Sequence, residues 1–475
     1  MENLKYIPFV VEFSAILLAF DIYFLIRWKN FTINRGWNRM IYIIPIVVGA
    51  FMLMISGYTV WIQMENIVPP PLFKNLIMLK SIWYLPKIMI IPFLAAFDLI
   101  RLGRKLFTGR GRNSVNKHKY LELKNGVQQH KILSEKSKKF NPVKDIQLIP
   151  EPQLRLEAGV PMGGEYDISH PDFKENDAVE PDNPRKTDSS RRKFLQTSGW
   201  ALSGIPFLII SNGVVNTTYD FRVHEVDVPI KGLPSGLDGM KIAQITDVHA
   251  GSFHSPDPIR KAVNMINSLQ PDLITGTGDF VNFNPDEFDL IGEEISKLKA
   301  NIGIYSCLGN HDHFMSREDH AKLIRKLNDS GLNLLINEGL VIERRGGKIN
   351  IAGIDNTGYG QSFGDLDKAL ANSDEKSPTI LLCHDPTNWD RSIRKQRKVD
   401  LMLSGHTHGG QIGVEIFGNV YTPVSVAYKQ FAGLYGDEDQ YLYINRGLGT
   451  TGPPIRVGVS PEITLIKLRS KRNYS

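Results

Sequence analysis

Five short apolar runs in the second half of this 475-residue chain each end in aspartate, histidine or asparagine, and nothing else in the sequence restricts the fold as tightly. Residues 241–246 (KIAQIT) lead into Asp247-Val248-His249, and residues 272–275 lead to Gly278-Asp279. Residues 302–308 run into Gly309-Asn310-His311-Asp312. Residues 379–383 end at His384, and residues 401–403 end at Ser404-Gly405-His406-Thr407-His408. Helical patterns intervene at 258–269, 287–298 and 318–327, with strand-like pieces at 333–337, 340–345 and 349–354. Strands alternating with helices predict an α/β domain. In open α/β sheets sites gather at the carboxyl ends of strands, so these polar residues are predicted to converge on one rim.

Each signal has a bland explanation when taken alone. Asp-x-His reads as a turn, Gly-Asp as a helix cap, and a histidine after a strand as a surface group. The ordered set is harder to dismiss, and its residue types suit a metal site. Two divalent ions about 3.5–4 Å apart can activate a water and clamp a phosphate, and such a pair needs a bridging carboxylate. Asp279 is the candidate bridge. Neutral imidazoles and oxygen donors suit Mn, Fe or Zn. With only Cys307 and Cys383, a Cys-rich metal site or a disulfide scaffold is excluded. Glycines beside the candidate ligands let backbone and substrate approach closely.

Residues 241–467 resemble the calcineurin-like metallophosphoesterases. Asp247-Val248-His249, Gly278-Asp279, Gly309-Asn310-His311-Asp312, His384 and Gly405-His406-Thr407-His408 match that family's motifs in order. Gly409-Gly410-Gln411-Ile412 and Tyr443-Ile444-Asn445-Arg446-Gly447-Leu448-Gly449 look like its membrane-anchored bacterial phosphodiesterase branch. The resemblance implies a four-layer α/β/β/α sandwich with two metal ions. Asp247, His249 and His408 would hold the first ion, Asn310, His384 and His406 the second, and Asp279 would bridge. A metal-bridging hydroxide would attack phosphorus, His311 would assist the leaving oxygen, and Asp312 would hold the His311 ring. Where the family often has a further Asp after Gly-Asp and two apolar residues, this chain has Asn282.

The front of the chain obeys different physics. Residues 7–26, 41–62 and 81–100 are each near the ~20 residues a helix needs to cross hydrocarbon. The stretch 41–62 carries no charge, whereas Glu12 and Asp21 interrupt the first and Lys87 and Asp98 the third. Charges inside a membrane usually face a bundle interior or a partner. Arg27, Lys29, Arg35 and Arg39 follow the first stretch, and Arg101, Arg104 and Lys105 follow the third. Positive charge marks the cytoplasmic side, which places the N-terminus outside. Residues 101–190 are polar, charged and without period, and are predicted to be a flexible cytoplasmic linker. Ser190-Arg191-Arg192-Lys193-Phe194-Leu195 then precedes a modest apolar run within 191–216. It reads either as a twin-arginine export signal or as a fourth span. Both place the domain over 221–475 on the extracytoplasmic side of a bacterial inner membrane, whereas a third reading, a helix packed on the domain, leaves the catalytic part inside.

Other signals are declined. Gly447-x-Gly449-x-x-Gly452 imitates a dinucleotide fingerprint, but Pro453-Pro454 follows where a helix should open. Arg446 beside it could meet a phosphate or form a structural ion pair. The net charge of +6 and the absence of a basic, aromatic-studded stripe give no case for nucleic acid. The expected partner is a phosphate ester (monoester, diester or pyrophosphate), lipid-linked or from the cell envelope. The alternatives are a UDP-diacylglucosamine-type pyrophosphatase and a non-catalytic membrane sensor or scaffold.

Overall fold

The computed structural model describes residues 7–64, 75–100, 102–104, 184–416 and 419–471. The chain divides into two compact units, Met1–Ile91 with Ser203–Ser475, and Pro92–Leu202. Most of the expected linker over 101–190 lies outside the described residues.

Near the front, helices α1 (Ile7–Ile33), α2 (Met40–Met64) and α3 (75–100) cover the three apolar stretches, and α4 is Pro184–Val215. Among the described residues, two segments are long and apolar enough to cross a membrane, Met40–Ile62 and Thr197–Tyr219. One face of α2, with Ile44, Val47, Phe51 and Met54, is exposed, as a lipid-facing helix requires, while Met52 and Ile55 pack with Leu17 and Tyr84. The charges that interrupt α1 and α3 meet each other. Lys87 Nζ lies 2.5 Å from Asp21 Oδ1, and the same carboxylate accepts from Trp83 Nε1 and Tyr84 Oη.

The catalytic half is built from two six-stranded sheets. The first runs β1 (Arg222–Ile230), β14 (Glu462–Ser470), β2 (Lys241–Ile245), β3 (Leu273–Thr277), β4 (Gly303–Cys307), β5 (Asn333–Leu334). The second runs β12 (Gly433–Asp437), β13 (Gln440–Ile444), β9 (Leu401–Ser404), β8 (Thr379–Leu382), β7 (Gly347–Gly353), β6 (Glu338–Arg344). Strands β2 to β5 are parallel, as are β7, β8, β9 and β13.

Side chains that alternate along each buried strand hold the layers together. Ile242, Leu273, Ile351, Ile380, Leu382, Leu401 and Leu403 point between the sheets into a shared core. Their neighbours Ala243 and Ile274 point the other way, under α5 (Asp257–Ser268) and α7 (Arg317–Asp329). Leu381 and Met402 likewise cover Ala369 of the short helix α8 (Leu366–Leu370), with Trp389 and Ile393 beyond. Both outer faces therefore carry helices, which gives the expected α/β/β/α order.

Helix boundaries match closely at α5 and α7 but not over 287–298. There the chain makes a 3-10 segment, Pro285–Leu290, and one short turn of helix, α6 (Gly292–Ile295). The Glu287 carboxylate, which the amphipathic pattern puts outside, turns inward and accepts from the backbone of Asn282 and Phe283. A third, two-stranded ribbon pairs β10 (Val414–Ile416) with β11 (Asn419–Tyr421) outside both sheets.

Candidate metal centre

All eight candidate residues stand just beyond the carboxyl ends of β2, β3, β4, β8 and β9. The backbone there is unusual. Asp247, His249, Asp279, His406 and His408 have φ between 44° and 72°, the left-handed region that non-glycine residues seldom enter. Each turn aims its side chain into one shared space. The neighbouring glycines make this possible: a Cβ on Gly405 would overlap Asp247 Oδ2, and one on Gly309 would overlap Asp279 Oδ1.

Three groups of donors result, Asp247 with His249 and His408, His249 with Asp279 and His311, and Asp279 with His384 and His406. His249 Nε2 and His408 Nε2 are 3.1 Å apart, and His408 Nε2 is 3.3 Å from Asp247 Oδ1. His384 Nε2 sits 3.1 Å from Asp279 Oδ2, 3.2 Å from Asn310 Oδ1 and 3.2 Å from His406 Nδ1. With metal–nitrogen bonds of about 2.0–2.1 Å, donors sharing one ion lie roughly 3.0–3.4 Å apart. The donor set therefore fits cations in spacing and in chemistry. Asp279, common to two groups, is placed as the bridge would be.

The far side of the rings supports the same use. The Thr277 carbonyl can only accept, so His384 Nδ1 donates to it at 2.7 Å and leaves Nε2 free. Tyr428 Oη lies 2.8 Å from His406 Nε2, which leaves Nδ1 for the centre. His311 Nδ1 donates to the Asn282 carbonyl at 2.8 Å. That bond runs to backbone, so the Asn-for-Asp departure at 282 does not alter it.

Electrostatics follow from burial. Burial pushes His249 down to about 3 and His406 to about 4, and holds His408 well below the ordinary histidine range. These rings are neutral at pH 7, with lone pairs to offer. Burial also acts against a charged His384, but Asp279 and Asp247 outweigh it and push that ring up to about 10. For Asp279 burial is outweighed by His384, His311 and His249, which keep it well below the carboxylate range. Burial, aided by Asp279, raises Asp247 to about 7. Without cations, then, His384 and Asp279 form an ion pair.

Asp312 corrects one expectation, because it does not touch the His311 ring. It is fully buried, and its carboxylate accepts from the backbone N–H groups of Asp279, Phe280, Val281 and Gly309 at 2.8–3.3 Å. It ties the loop after β3 to the loop after β4. Arg446 forms an ion pair with buried Glu462 at 2.6 Å. The loop at Gly447 and Gly449 is a clamp on the first motif: Leu448 N donates to Thr246 O and Gly449 N to Asp247 O. His313 pairs with Asp355 at 2.7 Å and stands away from the donor groups. Cys307 and Cys383 are free and buried.

Two residues escaped the sequence reading. Tyr428 arrives from a loop without a motif. Arg456, fully buried, donates to the carbonyls of Arg446, Gly447 and Gly449 at 2.6–3.2 Å beneath His408.

Comparison with known proteins agrees with this geometry. Residues 240–410 match the calcineurin-like phosphoesterase family. A Bacillus subtilis metallophosphoesterase, YkuE, is 32% identical over 299 residues, covering 59% of this chain and 98% of the relative. A second one, YkoQ, is 33% identical over 267 residues, covering 55% and 94%. A zebrafish transmembrane protein with a metallophosphoesterase domain is 30% identical over 270 residues, 54% of this chain. The match spans 59% of that zebrafish protein's length. The chain belongs to the calcineurin-like phosphoesterase family, a family of phosphoester hydrolases, and its transmembrane relatives and two long apolar segments point to membrane association.

Proposed function

We propose that the domain hydrolyses a phosphate ester at a two-cation centre held by the residues described above. Asp247, His249 and His408 would hold one ion, Asn310, His384 and His406 the other, and Asp279 both. The observation that carries this reading is the crowding of imidazole nitrogens, His249 with His408 at 3.1 Å and His384 with His406 at 3.2 Å, beside the carboxylates of Asp247 and Asp279. The nitrogen and oxygen donors, without thiolate, suit Mn, Fe or Zn. Ions bound there would lower the pKa of a water and offset charge on the phosphoryl oxygens.

The chain's own groups supply the rest. Thr277 and Tyr428 fix two of the rings, so the donors meet a cation without reorganisation. His311 is half-buried at the rim, and its Nδ1 is committed to Asn282. Its Nε2 is the atom left to hold a proton for the leaving oxygen. Phe283 and Phe314 flank that ring at centroid distances of 5.4 and 4.9 Å and limit water around it. The anchor favours a phosphate borne by a lipid or another envelope component, and the charge pattern of the front helices favours the extracytoplasmic side.

The test uses purified full-length protein, Mn²⁺ and an aryl phosphodiester. Asp279→Asn and His406→Ala should each lose bound metal and hydrolysis while remaining folded. His311→Ala should keep its metal and lose about 10²–10⁴ in kcat. Full activity in Asp279→Asn or His406→Ala refutes the assignment.

A further inference from the structure

Of the eight large apolar side chains exposed among the described residues from 221 on, four lie on one small feature. The ribbon β10–β11 and the 3-10 turn Pro423–Val426 that follows it expose Val414, Ile416, Tyr421 and Val426, the last at 93%. Between Ile412 and Tyr428 the sequence has one charged residue, Glu415. A soluble loop does not need this composition. The ribbon hydrogen-bonds to neither large sheet, and its exposed side chains belong to none of the buried apolar clusters.

The root of the ribbon says what covers it. Ile412 pairs with Val457, and Gly413 N donates to Val457 O at 2.9 Å. Ile412, Ile455 and Val457 form one apolar cluster with Ile210 and Val214 of α4, and Met78, Ile82 and Leu85 of α3 pack against it. The contact is tight enough that a Cβ on Gly213 would lie 2.7 Å from Val457 Cγ2 and 2.8 Å from Arg456 O. Immediately before this junction α4 exposes Ile205, Leu208 and Ile209, within the segment long and apolar enough to span a bilayer. The ribbon thus continues the lipid-facing surface of α4 without a polar break at its root.

The other end of the feature reaches the metal centre. Two residues after Val426, Tyr428 lies against His406, and Thr407 Oγ1 donates to Phe431 O at 2.6 Å. We propose that the described residues of this feature, 414–416 and 419–426, insert into the bilayer surface and seat the mouth of the centre there, so that it takes phosphate esters presented by lipid. The occupant is the bilayer because the patch is joined to a membrane helix, carries the aromatic and branched apolar residues of an interfacial anchor, and is nearly free of charge. The substrate part of this inference rests on the phosphoesterase reading; the insertion part stands apart from it.

The experiment uses the full chain in vesicles of phosphatidylethanolamine and phosphatidylglycerol. Val414→Cys and Val426→Cys carry a bimane label, with Lys348→Cys, at the opposite end of β7 from the centre, as the control. The native cysteines are buried and stay unlabelled. Brominated lipid chains should quench the labels at 414 and 426 and spare the one at 348, and aqueous iodide should do the reverse. The double variant Val414→Asp with Val426→Asp should lose about tenfold, equivalent to about 1.4 kcal/mol, in hydrolysis of a dialkyl-anchored aryl phosphodiester. Its hydrolysis of the soluble aryl phosphodiester should not change. Iodide quenching at 414 and 426 equal to the control overturns insertion. So does protection from iodide accompanied by cross-links between copies at 414, which would make the occupant a second chain. If unsubstituted protein hydrolyses neither ester, the phosphoesterase reading fails while the quenching still decides insertion.

Discussion

Gly405→Ala isolates the geometry on which the centre depends. Gly405 does not have a positive φ, so alanine is compatible with its backbone and only space is at issue. The added methyl would overlap Asp247 Oδ2 and Thr246 Oγ1, with Thr246 Cγ2 at 2.8 Å. Thr246 is itself pinned by a bond from Oγ1 to Thr277 O, and Asp247 by two bonds from His406 N. The carboxylate is the freer group, and it must retreat by roughly 1 Å, a displacement that costs about 10²-fold in rate when it misplaces a catalytic group. Overpacking adds about 1–3 kcal/mol of destabilisation, or roughly 2–12 °C in Tm for a domain of about 250 residues. The assay pairs metal analysis with kcat on an aryl phosphodiester. The variant should remain folded, bind one cation of two weakly and lose about two decades of activity. Adding Thr246→Ala should recover much of the Tm but not the metal, since the clash with Asp247 remains. A Gly405→Ala protein with full metal and full kcat would show that the Asp247 position is not what the glycine protects.

Two further predictions concern charge and loop closure. Cation binding must displace the proton that Asp279 and Asp247 hold on His384 at about 10, so affinity should rise with pH, by one proton per site between about 7 and 10. Below about 7 Asp247 also protonates and the dependence should steepen; calorimetry in buffers of different ionisation enthalpy counts the protons, and a flat profile removes the ion pair. Asp312→Ala strands buried N–H donors from two loops, at about 1–3 kcal/mol for each one left unpaired, so thermal unfolding should show a marked drop in Tm. A normal Tm with a lowered kcat would return Asp312 to a role at the His311 ring.

How much of this was legible in the sequence depends on the reach of each interaction. The strands that carry the ligands read well because burial on both faces demands unbroken apolar runs, and each run is short and ends at a polar residue. The edge strand β1, its neighbour β14 and the pair β12–β13 did not read, because their partners are remote in sequence: Arg222 pairs with Glu462. The ligand identities were legible as motifs, yet their left-handed backbone was not, since nothing local distinguishes Asp247 at φ 49° from an ordinary turn aspartate.

Asp312 shows why proximity in sequence misleads. Its neighbour His311 is the obvious partner for a carboxylate, but a fully buried carboxylate must find donors, and the unpaired N–H groups of two tight turns lie closer than the ring. The same rule explains Asp21 and Lys87. In the sequence Lys87 is a lone cation inside an apolar stretch, but it is satisfied from α1 by Asp21, whose carboxylate also gathers Trp83 and Tyr84. In both places the sequence announces that a buried charge needs a partner, and only the packing of separate elements decides which. Tyr428 is the extreme case: its position against His406 follows a ribbon whose root is fastened to α4 through Val457, so the outer support of a candidate ligand is set by packing on a remote helix.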